Sequence, residues 1–206
     1  MFHSRLVSAL LAAAVLPAAA LFPIAASGQE PGGADAKIAN ALSAGPPEVT
    51  SAATVLDWPA EAGGEMTELR AGSNGWTCLP DIPGTPADDP MCLDSTFVAW
   101  MGAHQAGTPP AIERVGFGYM LQGGSTASNT DPFASEPAPD EEWLMEPPHV
   151  MMVVPDPRSL EGLTTDPDNG GPWIMWAGTP YAHVMMPVDE AGHAMPEGHD
   201  RGAQPD

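Results

Sequence analysis

Two apolar stretches in the last third of the chain, PPHVMMVVPDP (residues 147–157) and GTPYAHVMMPV (residues 178–188), share the tetrapeptide His-Val-Met-Met and are closed off by prolines and glycine. Apolar runs this short, bounded by turn formers, read as strands rather than as buried helices. The same punctuation recurs upstream, where VTSAATVLDW, MTELR and the WTCL that follows the turn SNG are further extended segments. Helical spacing is confined to two places. AKIANALSAG sets Ile38, Ala41 and Leu42 on one side and stops at Gly45 before Pro46 and Pro47. LDSTFVAWMGAHQ has Asp94 or Ser95 as its cap, Phe97, Val98, Met101 and His104 along one side, and Gly107 to close it. Strands outnumber helices, so the expected architecture is a single α+β domain, a mainly antiparallel sheet with about two helices and long Pro/Gly-rich loops.

Between these elements, ERVGFGYMLQGG alternates Val115, Phe117, Tyr119 and Leu121 with small residues, a strand whose glycine face is expected to admit another backbone closely. The polar segment from Gly123 to Glu142 has no apolar period and reads as a long surface loop. WLMEPPHVMMVV then reads as one strand, RSLEGL as a short helix, and PWIMW-AGTP-YAHVMMPV as a hairpin.

The ends carry a different signal. MFHSRLVSALLAAAVLPAAALFPIAASGQE presents one Arg, an apolar Ala/Leu run and then small residues, the order of an export signal with cleavage near residues 26–29; a retained anchor is the alternative. The expected organisation is a signal peptide over residues 1–27, a linker over 28–36, the α+β domain over 37–188 and a disordered acidic tail over 189–206. About 175 residues remain after cleavage, enough for one domain with its own core, with no membrane span and a secreted or periplasmic location.

Residues 1–27 hold Arg5 and no acid, so their removal takes the formal charge from −21 to −22. Nucleic acid and anionic lipid are thereby poor partners, although solubility alone also accounts for such a charge. An exported chain meets an oxidising compartment, so the two cysteines, Cys78 and Cys92, are expected to pair and staple the irregular, proline-rich loop between them. Their spacing is too long for the close Cys pairs of zinc sites.

GWTC, DDPMCLD, GYMLQGG, ASNTDPF, PHVMMVVPDP and GTPYAHVMMPV together resemble a family of small exported bacterial proteins of uncharacterised function. The resemblance spans Ile38 to Val188. It implies one compact domain behind a cleaved signal, and no activity, cofactor or site residue.

The duplicated HVMM admits two readings. Residues two apart on a strand share a face, so His149 with Met151, and His183 with Met185, each point one way. If the two strands are antiparallel neighbours with His149 opposite Met185 and Met151 opposite His183, four soft donors gather within about 5 Å of one another. Imidazole and thioether together favour copper. The competing reading is ordinary core packing, since Met fills irregular interiors and twelve are present. His193 and His199 in the tail add at most loose metal binding.

Other chemistry is weaker. TTDPDNGG fails the calcium-loop pattern and reads as a turn, because Gly170 and Ala177 fall where ligands are needed. G-x-S-x-G, S-x-x-K and H-E-x-x-H are all missing. A hydrolase-like alternative would take Ser125 or Ser128 as nucleophile, His149 or His183 as base, and Asp131, Asp156 or Asp166 to orient it. An interaction module for protein or carbohydrate would use exposed indoles among Trp58, Trp76, Trp100, Trp143, Trp173 and Trp176, with Trp143 the expected exposed one. The expected function is therefore binding of a small ligand or metal, with catalysis and macromolecular interaction as alternatives.

Overall fold

The computed structural model describes Met1 and residues 33–61 and 63–188. The chain divides into two units, Met1–Glu30 and Pro31–Asp206, and the second contains every helix and strand among the described residues. The signal peptide, residues 28–32 of the linker, and the tail with His193 and His199 lie outside the described residues.

The described residues form one α+β domain. Its elements are α1 (Ala34–Ser43), α2 (Pro47–Thr50), β1 (Thr54–Asp57), β2 (Thr67–Arg70), β3 (Trp76–Leu79), β4 (Met91–Asp94), α3 (Ser95–Gln105), β5 (Gly116–Met120), β6 (Gly124–Thr126), β7 (Leu144–Glu146), β8 (His149–Val153), a 3-10 turn (Pro157–Leu160), β9 (Trp173–Met175) and β10 (His183–Pro187). Eight strands make one sheet in the order β2-β1-β3-β4-β5-β8-β10-β9, and β6 and β7 pair separately. Only the β1–β3 pairing is parallel among these strands.

The two faces of the sheet are packed differently. On the front, Leu79, Leu93, Met120, Met151 and Met185 pack with Phe97 and Trp100 of α3. Behind one end, Val55, Cys78 and Cys92 meet Ala41 and Ala44; behind the other, Ile174 and Val184 meet Leu160 of the 3-10 turn. Asp94 starts α3 by accepting hydrogen bonds from the backbone N–H groups of Thr96 and Phe97, which satisfies two of the helix's unpaired donors. Gly107 ends it at φ 64°, a left-handed position that glycine takes without strain.

Several local expectations need correction. The first helix begins at Ala34, inside the segment read as linker, and Pro47–Thr50 at the start of VTSAATVLDW is a helical turn. WLMEPPHVMMVV is two strands in two sheets, because Pro147 and Pro148 supply no N–H and interrupt the ladder between β7 and β8. Residues 124–126, read as loop, are the strand that pairs with β7. The glycines of β5 lie on its buried side, and Phe117 on the other side is exposed. A Cβ on Gly116 would stand 2.8 Å from the backbone nitrogen of Phe97, so a second backbone does pack close, that of α3. Cys78 and Cys92 form a disulfide between directly paired residues of β3 and β4, so the bridge joins neighbouring strands and the irregular loop lies beyond it.

Candidate functional site

β8 and β10 are antiparallel neighbours, as the copper reading requires, but the register is offset by two residues. Met185 faces Met151, and His149 faces Pro187. A two-residue offset preserves parity, so all four side chains stay on one face, while the histidines move to opposite ends of the ladder. His183 pairs instead with Met175 of β9, and His149 with Met120 of β5.

A cavity of about 290 Å³ lies over this face, beneath α3. Met151, His183 and Met185 line it; His149 does not. Five further donors or polar groups that the sequence did not reveal share the wall: Met91, Met120, Met175, Met101 of α3, and Glu146. The wall also carries Trp58, Phe97, Trp100 and Trp176. With three rotatable bonds and polarisable sulfurs, methionines give such a wall adaptable shape.

The aromatic side is ordered. Trp100, His104 and Trp176 lie parallel within 7°, with centroids 5.1 to 6.2 Å apart, and Phe133 continues the arrangement on His104 at 5.2 Å. His183 meets Trp100 and Trp176 edge-on at 5.2 and 5.1 Å. Trp176 holds φ at 56°, a left-handed conformation that costs a bulky residue about 1–3 kcal/mol. It is pinned there by its backbone N–H donating to Asn129 and its indole N–H donating to the Ser128 carbonyl at 2.9 Å. β9 ends one residue earlier, so the strand rule that would turn Trp176 away from Trp173 does not apply, and both pack against the front core.

The histidines are neutral acceptors. His183 donates from Nδ1 to the Tyr181 carbonyl at 3.0 Å, leaving Nε2 as the basic nitrogen, and burial pushes its pKa down to about 4. His149, fully buried, donates from Nδ1 to the Pro147 carbonyl at 2.7 Å, and burial lowers it likewise to about 4. Its Nε2 has no hydrogen-bond partner among the described residues and stands 3.7 Å from a Glu146 carboxyl oxygen. The contact has the distance of an ion pair, but burial and then the nearby Asp89 charge push Glu146 up to about 8. Both members are therefore neutral at pH 7. Asp89 is itself buried and raised by burial to about 6, and its Oδ2 is unpartnered. Ser125, on the cavity wall, has a buried hydroxyl with no partner.

The hydrolase-like set is not assembled. Ser125 Oγ and His149 Nε2 are both unpartnered, hence not bonded to each other. Ser128 Oγ accepts from the N–H groups of Thr130 and Asp131, a turn role. Asp131, Asp156 and Asp166 each accept from backbone N–H groups two residues on, and among the described residues none is bonded to a histidine. The TTDPDNGG segment is a turn, with Gly170 at φ 76° and Asn169 accepting from Gly171. No indole is fully exposed: Trp173 is 1% accessible, and Trp143 is half-buried in an open acidic groove beside Met145.

No group of three or more His, Cys, Asp or Glu side chains is gathered to hold a metal among the described residues; soft donors gather instead around His183. Among the same residues no helix is long and apolar enough to cross a membrane. Comparison with protein-family models, with curated proteins and with solved structures gives no match.

Proposed function

We propose that this domain is an exported binding protein whose ligand is a small molecule held between α3 and the β8–β10 face. One observation carries the reading: on the wall of a mostly apolar cavity, the buried hydroxyl of Ser125 has no hydrogen-bond partner among the described residues. An unsatisfied buried polar group costs about 1–3 kcal/mol, and such costs persist where a ligand supplies the missing bond. The strained Trp176 at the same wall and the pinned aromatic arrangement support a preformed site. The disulfide fits an oxidising compartment. The test is a titration with 2-phenylethanol followed by tryptophan fluorescence. One-site saturation is expected, and a signal that never saturates would contradict the reading.

Cu(I) binding is the second reading, favoured by a specific arrangement. Met175 faces His183 across β9 and β10, Met185 follows on the same face, and Met151 faces Met185. A neutral imidazole with two or three thioethers is a soft donor set that selects Cu(I) over harder ions. In competition with a chromogenic Cu(I) chelator, His183→Ala is expected to remove binding, whereas His149→Ala leaves it in place. Equal loss in both variants would contradict the donor set.

A further inference from the structure

Glu146 and Asp89 are buried carboxyls with no lysine or arginine partner among the described residues, and His149, 3.7 Å from Glu146, is held neutral by burial. Lys37 binds Asp57 at 2.6 Å, and Arg70 donates to the carbonyls of Thr50 and Ala53. Arg114 donates to Thr96 Oγ1, and Arg158 pairs with Asp156. None of these reaches the cavity. Glu146 nonetheless lines it, with its side chain 5% accessible. A Cβ on Gly124 would lie 3.1 Å from the Glu146 carboxyl and 3.4 Å from Asp89 Cβ, so the two acids and β6 form one close cluster. Ser125, the next residue of β6, presents its unpartnered hydroxyl to the same cavity.

A buried acid without a protein cation is an incomplete pair. It costs stability while empty and binds strongly when a cation arrives in a low-dielectric site. The rest of the wall suits such a guest, since indole faces and thioethers are favourable neighbours for an organic ammonium group. A chain of net charge −21 also draws cations toward it.

We infer that the occupant is a small organic cation, an amine with an apolar or aromatic body. Its ammonium group sits between the Glu146 carboxylate and the Ser125 hydroxyl, and its body lies against Trp100, Trp176 and the methionines. The volume holds about ten water-sized units, which suits a compact arylalkylamine rather than a peptide. This rests on the cavity being a binding site and adds the charge of its ligand.

Binding must then ionise Glu146. The titratable groups that face it are Asp89, from the loop ahead of β4, and His149 of β8; Gly124, Ser125 and Met120 bring no charge from β6 and β5. With Asp89 titrating near 6 and His149 near 4, Glu146 is the member of this cluster whose charge changes most between pH 6.5 and 8. A proton is released on binding below pH 8, and affinity rises by up to about tenfold per pH unit as pH approaches 8.

The experiment compares 2-phenylethylammonium chloride with its neutral isostere 2-phenylethanol, by calorimetry, on the wild type and on Glu146→Gln. Gln is isosteric with the protonated acid, so the fold is expected to persist, and circular dichroism checks it. The inference expects the amine to bind at least tenfold tighter than the alcohol, with proton release visible in two buffers of different ionisation enthalpy. Glu146→Gln is expected to remove that preference while leaving alcohol binding in place. Equal affinity for both probes, unchanged in Glu146→Gln, would overturn the cation inference and leave the cavity reading standing. Binding of neither probe would overturn both.

Discussion

Raising the pH from 6.5 to 8 is expected to destabilise the domain by about 1–2 kcal/mol, and Glu146→Gln to abolish that loss. An acid whose folded pKa is raised contributes stability that is complete below its unfolded pKa and fades as pH rises through its folded pKa. For Glu146 the window runs from 4.5 to about 8. The upper 1.5 units of it, at 1.36 kcal/mol per unit, bound the loss at about 2 kcal/mol, which the histidines partly offset. Asp89, raised from 3.8 to about 6, is half-ionised near pH 6, so most of its contribution is gone by pH 6.5. His149 and His183 are lowered from 6.5 to about 4, so their contribution is present above 6.5 and fades as pH falls toward 4. Above 6.5 Glu146 dominates, partly offset by the last of the histidine contribution, and stability peaks near that pH. Urea denaturation at pH 6.5, 7.2 and 8 measures it. A wild type with the same midpoint at all three, or a Gln variant that keeps the full slope, would contradict burial of this carboxyl.

Gly116→Val is expected to cost about 3 kcal/mol or more. The new Cβ would meet Phe97 N at 2.8 Å, Thr96 Cβ at 2.9 Å and Asp94 Oδ1 at 3.0 Å, all in the first turn of α3 and its cap. Overpacking against backbone costs about 1–3 kcal/mol, and displacing the Asp94 cap adds about 1 kcal/mol. α3 carries Phe97, Trp100 and Met101 of the cavity wall, so ligand binding falls with stability. Gly102, on the same helix, has nothing within 4 Å of an added Cβ, and Gly102→Ala is expected to stabilise by up to about 1 kcal/mol. Thermal melts of the two variants should move in opposite directions. Similar small shifts would place α3 further from β5 than the structure has it.

How far the site could be read from sequence depends on what each pattern encodes. Period-two alternation fixes which face a side chain occupies, and it put His149, Met151, His183 and Met185 together. It does not fix sliding along the strand, which depends on turns and on neighbours such as β9 and β5, so the pairing shifted by two residues. The α3 cap and its Gly107 stop were legible because capping is local chemistry. Glu146 was not, since an acid beside two prolines looks like surface until β6 folds over it. Asp89 was hidden in an acidic loop for the same reason. Met175 and Met120 carried a signal in the number of methionines, but nothing local distinguishes a cavity wall from a filled core. The position of Trp176 was not legible either, because its left-handed φ breaks the strand alternation just past the end of β9.

The central claim is that a small molecule occupies the space between α3 and β8–β10. The most direct test is the [13C]methyl-methionine spectrum during titration with 2-phenylethylammonium chloride and, separately, 2-phenylethanol. Met91, Met101, Met120, Met151, Met175 and Met185 line the cavity, whereas Met145, Met152 and Met186 do not. The account predicts that at least one probe shifts the six cavity methyls in a saturable way and leaves the other three in place. Shifts confined to Met145, Met152 and Met186, or none at saturating probe, would contradict it.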